Sequence, residues 1–173
     1  MNEVIKNILT RRSIRKYKND MIPQDIINQI IEAGTYAASG MNRQPTIIIE
    51  ITNKEMIDRL SKLNAKIMGR PDKDPFYGAP VVLVVLADKN ARTYLYDGSL
   101  VIGNMMLAAH SLNIGSCWIH RAKEEFETEE GKEILRDLGI EGDYEGIGHC
   151  ILGYVDGEEP APLPRKENNV YII

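Results

Sequence analysis

The sequence predicts an α+β domain spanning residues 1–173. Helix-like and strand-like segments are mixed along the chain without the regular alternation that builds a doubly wound parallel sheet. Residues 81–86 form a continuous apolar run, suited to a strand buried on both faces. The segment from about residue 91 to 112 is apolar almost all the way round, as a central buried helix would be.

Taken in order, residues 2–9 read as a short helix with Val4, Ile5, Ile8 and Leu9 on one side. Pro23 opens a second helix, where its missing N–H costs little. Ile26, Ile27, Ile30, Ile31 and Gly34 then keep helical spacing. Residues 47–52 have the β-branched density of a strand. Asn53 is placed to cap the next helix, whose apolar stripe is Met56, Ile57, Leu60 and Leu63. Gly69, Pro71, Pro75, Gly78 and Pro80 make residues 69–80 a loop.

Within the 91–112 helix, Gly98, Ser99, Gly103, Ala108 and Ala109 would admit another backbone at close range. Residues 116–120 and 147–154 are further strand candidates, with a helix around 129–138 between them. The acidic run 124–133 reads as a solvated helical face. The last nine residues are extended, polar and then apolar at 170–173, which predicts a tail held down somewhere.

Bulk properties narrow the function classes. A chain of 173 residues is most simply one domain, large enough to remove roughly 70% of its unfolded surface from water. A net charge of −4 gives no general reason to expect nucleic acid as a partner. Cys117 and Cys150 are too few for a disulfide scaffold, lack metal-site spacing and read as inert buried thiols. The histidines His110, His120 and His149 lack metal-ligand spacing as well. No apolar run approaches the ~18 residues of a membrane span, and the first residues lack a secretory core. The expectation is a cytoplasmic protein without membrane partners. Tyr144-Glu145-Gly146-Ile147-Gly148 contains a Gly-x-Gly, but Ile151 stands where a third glycine would complete a dinucleotide fingerprint.

Two segments carry the chemistry. Arg11-Arg12-Ser13-Ile14-Arg15-Lys16-Tyr17 is a basic cluster with a hydroxyl inside it, in an acidic chain. Ala38-Ser39-Gly40-Met41-Asn42-Arg43-Gln44-Pro45 is a small-residue loop offering amide and guanidinium groups. A phosphate needs converging cations and N–H or O–H donors, and a flat polar heterocycle needs amides at its edge. A phosphorylated planar cofactor needs both, so the combination points to flavin mononucleotide (FMN).

These segments resemble the nitroreductase-type flavoproteins. The likeness continues in family order through Gly78-Ala79-Pro80, Asp97-Gly98-Ser99, Gly115-Ser116-Cys117-Trp118-Ile119, Leu152-Gly153-Tyr154 and Pro164-Arg165-Lys166. The resemblance implies a central, mostly antiparallel sheet flanked by helices, with an extended C-terminal tail that crosses to a partner. It also implies a homodimer with FMN in the clefts between subunits. By the same likeness Arg11, Arg12, Ser13 and Arg15 contact the phosphate, ribityl chain or ring, with Arg12 alternatively facing solvent. Arg165 and Lys166 join them at the phosphate. Ala38, Ser39 and Gly40 lie along the ring from the partner, Asn42 hydrogen-bonds to the cofactor, Gln44 joins the cofactor-binding set, and Trp118 and Ile119 wall the ring. His120 could reach the ribityl or phosphate end.

Ala38 stands where the family usually has proline, and Thr46 where an aromatic follows Pro45. Losing that proline removes a fixed φ and loosens the loop. Each motif also has a plainer reading: a solvated basic surface, an ordinary connection, a buried strand.

For function, the resemblance implies that NADH or NADPH passes hydride through the flavin N5 to a nitroaromatic, quinone or similar electrophilic small molecule. No side-chain acid or base is required, so none is named as catalytic. Two alternatives stay open: a non-catalytic FMN-binding, storage or sensing protein, and a family member specialised for another flavin reaction such as dehalogenation. Tyr36, Met41, Arg43, Met68, Arg70, Phe76 and Tyr77 are candidates to line the substrate cleft, and residues 64–77 to gate it.

Overall fold

The computed structural model describes all of residues 1–173. Six helices and four strands follow as α1 (Glu3–Thr10), α2 (Gln24–Thr35), β1 (Thr46–Ile51), α3 (Lys54–Ile67), β2 (Val81–Asp88), α4 (Tyr94–Ser111), β3 (Gly115–Ile119), α5 (Ala122–Glu127), α6 (Glu129–Asp137) and β4 (Tyr144–Gly153). A 3₁₀ turn, Gly40–Asn42, separates α2 from β1. The strands order as β1-β2-β4-β3, every neighbouring pair antiparallel. This is the α+β, antiparallel arrangement that the patterning predicts.

The apolar run became β2 because a strand with two covered faces has no polar side to present. Its alternate residues enter two cores. Val82, Val84 and Leu86 face Ile57, Leu60, Phe126 and Ile134, beneath α3, α5 and α6. Val81, Leu83 and Val85 face Ile27, Ile30, Ile102 and Met105, beneath α2 and α4. Period two thus divides one strand between two layers of helices.

Local signals place the helix starts. Asn2 Oδ1 accepts the Ile5 N–H and Asn53 Oδ1 accepts the Met56 N–H, each at 2.9 Å. Pro23 sits at the N-cap position of α2, one residue before its predicted place. β4 begins at Tyr144, earlier than predicted, because Tyr144 and Glu145 pair with Asp88 and Ala87. The register then shifts between Val85 and Leu86, leaving Ile147 as the extra residue of a bulge. Here the Gly-x-Gly acquires its meaning. A Cβ on Gly146 would strike the Ala122 carbonyl, and one on Gly148 would come within 2.8 Å of the Trp118 ring. Both glycines permit close packing.

Two expectations change, and two find no partner within the single chain. Residues 124–133 are two helices, with Thr128 Oγ1 accepting the Gly131 N–H at the start of α6, and Glu125 is fully buried. Within the chain Gly98 meets the Ile147 side chain, while Gly103 faces open space, where another backbone could still approach. Leu95, Tyr96 and Leu100 leave one face of α4 exposed. The tail from Gly157 to Ile173 is exposed throughout, so nothing in the single chain ties down its apolar end.

Candidate cofactor and substrate site

The segment Arg11–Arg15 leaves α1 and runs beside β3. Ser13 bridges to Ser116 in parallel, and the Ile14 N–H donates to the Ser116 carbonyl at 2.9 Å. Ile14 enters the core, so alternation along the extended chain sends the side chains of Ser13 and Arg15 the other way. Tyr17 fixes the end of the segment. Its hydroxyl donates to the Ile14 carbonyl at 2.7 Å, and its backbone bridges to Val155. Burial pushes the Tyr17 phenol far up, which keeps it a donor.

Three predicted residues act electrostatically on one thiol, Cys117. Burial pushes Cys117 above the ordinary thiol range, while Arg15, the Ser13 hydroxyl and Arg11 act in the opposite sense. Two donors around this point have no partner: Arg11 Nη1 and Ser116 Oγ are buried without a hydrogen bond. Buried donors are almost always satisfied, so these two keep bonding capacity for a water or a ligand. Arg12 is engaged otherwise. Its Nη1 donates to the carbonyls of Leu9 and Arg11 at 2.9 and 2.7 Å, closing the α1 C-terminus where helical carbonyls lack partners. Arg12 Nε is buried and unpartnered as well.

A cleft of about 360 Å³ opens beside this cluster, lined by Arg15, Cys117, Trp118, Ile119 and His120 together with Met68, Arg70 and Tyr77. The predicted wall residues Trp118 and Ile119 therefore join Arg15. His120 is exposed at the cleft edge. Of the predicted cleft residues, Phe76 is absent from the lining: it is fully buried and packs against the His149 ring at 5.1 Å. Tyr36, Met41 and Arg43 lie outside this lining too. A larger depression along α3 involves Lys54, Asp58 and Arg59, whose charges are paired with one another or with Glu130 and Glu133.

The 38–44 loop forms a separate feature in the single chain. Buried Asp97, in the first turn of α4, holds it: Oδ1 accepts the Gly40 N–H at 3.0 Å and Oδ2 accepts the Thr93 hydroxyl at 2.8 Å. Gly40 lies so close to Thr93 that a side chain would strike the Thr93 hydroxyl. Ser39 Oγ accepts the Gln44 N–H, and Gln44 Nε2 donates to Asn42 Oδ1, both at 3.0 Å. Met41, Asn42 and Gln44 all carry positive φ, of 54°, 54° and 49°. Such backbone costs energy in non-glycine residues, and these side-chain bonds hold it in place. None of Ala38, Ser39, Gly40, Asn42 and Gln44 lines the Arg15 cleft, and Arg165 and Lys166 stand exposed in the tail.

Sequence reasoning missed a buried polar network behind the cleft wall. His149 is fully buried with Nδ1 3.1 Å from the Ile119 carbonyl oxygen and Nε2 2.7 Å from Glu125 Oε2. A carbonyl only accepts, so Nδ1 carries a proton, and Nε2 and Glu125 share another. Asn64 Nδ2 donates to the His120 carbonyl at 2.9 Å and to Glu125 Oε1, while its Oδ1 accepts Arg121 Nε at 2.8 Å. The carbonyls of Ile119 and His120 are both drawn inward. A trans peptide sets its N–H opposite its carbonyl, so the N–H groups of His120 and Arg121 turn away from the network. Neither has a backbone acceptor. Arg121, at φ 78°, completes this bend. The one available sequence signal was a histidine inside an otherwise apolar strand.

An antiparallel sheet between two helical layers defines a layered α+β architecture. The chain belongs to the nitroreductase family, whose model matches residues 8–154. It is 33% identical over 165 residues to an Archaeoglobus fulgidus protein, covering 92% of this chain and 89% of that one. That relative carries the provisional name NADH dehydrogenase/NAD(P)H nitroreductase. A Methanothermobacter thermautotrophicus protein of the same provisional name is 32% identical over 120 residues, which span 67% of this chain and 60% of the relative. The crystal structure of a Bacteroides fragilis nitroreductase with bound FMN superimposes with a TM-score of 0.91, at 29% identity, over 100% of both chains.

Proposed function

We propose that this protein is an FMN-dependent NAD(P)H oxidoreductase acting on nitroaromatic, quinone or similar electrophilic small molecules, as a homodimer with FMN between the subunits. The observation that carries the reading is the pair of unpartnered buried donors, Arg11 Nη1 and Ser116 Oγ, on the segment and strand that the Ser13–Ser116 bridge joins. These residues fit FMN: fixed cations and hydroxyls suit its phosphate and ribityl oxygens. The likeness to the FMN-bound Bacteroides fragilis structure supports the same cofactor.

When bound, FMN supplies the two-electron redox chemistry, and the protein's part is to hold, orient and tune it. Arg11, Ser13 and Arg15 bind its polar parts. Trp118 and Ile119 form an apolar wall of the adjoining cleft. The His120 and Arg121 N–H groups, held outward by Asn64 and His149, are donors poised for negative charge. Arg12, Arg165 and Lys166 are assigned secondary parts, Arg12 because it already closes α1, the other two because they reach the phosphate only once the tail is docked.

Support for the dimer comes from uncovered apolar surface. Val4, Ile5, Ile8 and Leu9 of α1, Leu95, Tyr96 and Leu100 of α4, and Val170, Tyr171, Ile172 and Ile173 are all exposed. The dimer would bring the partner's 38–44 loop and tail to the cleft. No helix is long and apolar enough to cross a membrane, and a cytoplasmic location fits the free buried thiols.

An anaerobic absorbance spectrum before and after NADH, and then NADPH, tests the reading. A flavin band that bleaches with either donor and returns with a quinone or nitroarene supports it. A band that stays oxidised leaves a binding protein, and a colourless protein that takes up no FMN would overturn the assignment.

A further inference from the structure

We infer that the second substrate of this site is recognised through an anionic group, phosphate or carboxylate, by Arg70, Lys73 and Arg121, which line the cleft together with Arg15. The inference rests on the reductase reading for the identity of that substrate. It rests on cleft chemistry for its charge.

The chain is acidic, with a net charge of −4. Its cleft is the reverse: four cations, Arg15, Arg70, Lys73 and Arg121, face one carboxylate, Asp74. That carboxylate is already committed to the loop's own structure. Asp74 Oδ1 accepts the Ser61 hydroxyl at 2.6 Å and the Phe76 N–H at 2.9 Å, and Oδ2 accepts the Gly78 N–H at 2.6 Å. It pins the loop and forms no ion pair with the cations, so its charge offsets only one of the four. Arg15, Arg70 and Arg121 form no ion pair, and Lys73 has only its neighbour Asp72, at 3.7 Å and exposed. With Arg15 assigned to FMN, the cleft lining keeps three cations, Arg70, Lys73 and Arg121, against the Asp74 carboxylate, with Asp72 beside Lys73 outside the lining.

These cations are mounted on fixed backbone. The Arg70 N–H donates to the Ala65 carbonyl at 2.9 Å, and the Lys73 N–H donates to the Arg70 carbonyl at 3.0 Å. Arg70 and Lys73 therefore flank one closed turn. Arg121 is anchored through Nε to Asn64, which leaves both terminal nitrogens of its guanidinium without a protein acceptor. A concave wall of net positive charge concentrates field and draws anions in. Nitroarenes and quinones as a class carry no charge that needs such a wall. A 2′-phosphate on the nicotinamide donor would supply the matching charge, and so would an acid group on the acceptor.

Calorimetric titration of the oxidised, FMN-loaded protein separates the two sources. One arm compares NADP⁺ with NAD⁺, the other 4-nitrobenzoate with 4-nitrobenzyl alcohol. The expected result is about tenfold tighter binding of the more anionic member in at least one arm, shrinking at high salt. The arm showing it identifies the source. Arg70→Ser with Lys73→Ser should abolish the preference, leave the less anionic ligand within about twofold, and retain FMN. Arg70→Gln alone should lose part of the preference, should the double variant fold poorly. Equal binding in both arms would overturn the inference, as would a preference that survives the substitutions or loss of FMN from the double variant. Discrimination by a protein whose flavin neither NADH nor NADPH reduces would sink the reductase reading and leave the anion subsite standing.

Discussion

Asp97 accepts the amide N–H of Gly40 at 3.0 Å across 57 positions of sequence, and so ties the start of α4 to the 38–44 loop. The same carboxylate accepts the Thr93 hydroxyl, and it is 4% exposed. Hydrogen bonds to a charged acceptor contribute about 1.5–3 kcal/mol, more when removal strands a buried donor. Asp97→Ala should therefore destabilise the protein by about 2–3 kcal/mol in urea unfolding. Asp97→Asn, which keeps an acceptor, should cost less than half as much. If the two cost the same, the carboxylate is not what holds the loop.

Asn64→Leu tests the network behind the cleft. Leucine matches asparagine in size but leaves the His120 carbonyl, Arg121 Nε and Glu125 Oε1 each short of a partner. Losses of this kind cost about 2–4 kcal/mol, since desolvated polar groups are stranded. FMN affinity should fall as well, because the 119–121 backbone loses one of its two inward tethers. Retained urea stability would mean that the network contributes nothing to the fold.

Legibility of these features in the sequence followed their range. Residues 81–86 announced β2 because a doubly buried strand is apolar at every position. The Arg11–Arg15 cluster was legible because cations and a hydroxyl in an acidic chain are chemically conspicuous. Glu125 was not. It stands among Glu124, Glu127, Glu129 and Glu130, and only the fold distinguishes the one carboxylate that meets His149. The break at Thr128 was likewise hidden, since the acidic run continues across it. The tail's contacts were unreadable for a different reason: a partner for residues 170–173 does not exist within the chain.

Arg11→Met gives a prediction with opposite signs in two measurements. In the free protein Arg11 Nη1 is buried without an acceptor, so removing it should leave thermal stability unchanged or slightly raised. With FMN present the same nitrogen is expected to make a charge-assisted bond, whose loss weakens binding about tenfold to a hundredfold. Fluorescence titration of the apoprotein with FMN reads the second quantity. Equal loss of stability and affinity would mean that Arg11 serves the fold alone.

The thiols and Tyr17 set the alkaline limit. Burial raises Cys150, Cys117 and Tyr17 above their ordinary values. A raised folded-state pKa favours the protonated form in the native protein. Its stabilisation is fully present below the unfolded-state pKa and is lost as pH rises towards the folded one. Stability should therefore hold through pH 8 and fall above about pH 9, by up to ~1.4 kcal/mol per pH unit for each such group. Iodoacetamide at pH 8 should modify both cysteines far more slowly in native protein than in urea. Rapid native labelling of Cys117, which borders the cleft, would show that its thiol is not suppressed.

The last prediction concerns the face of α1. No residue of this helix is buried, and Val4, Ile5, Ile8 and Leu9 are 45–66% exposed. Its side chains hold it to α4 through two polar contacts, Asn7 Nδ2 to the Leu107 carbonyl and Thr10 Oγ1 to His110 Nε2, each at 2.9 Å. An amphipathic helix with its apolar stripe in water gains nothing from that stripe in a monomer. Burying an aliphatic side chain contributes about 1.5–3 kcal/mol. Ile5→Glu with Ile8→Glu should then shift the protein from dimer to monomer in sedimentation and lower FMN retention with it, since the partner's 38–44 loop is expected to complete each site. The same pair of substitutions should leave the sheet's urea midpoint nearly unchanged once the protein is monomeric, because neither side chain reaches either core. A dimer that survives both charges would place the interface elsewhere, on the exposed Leu95, Tyr96 and Leu100 face of α4.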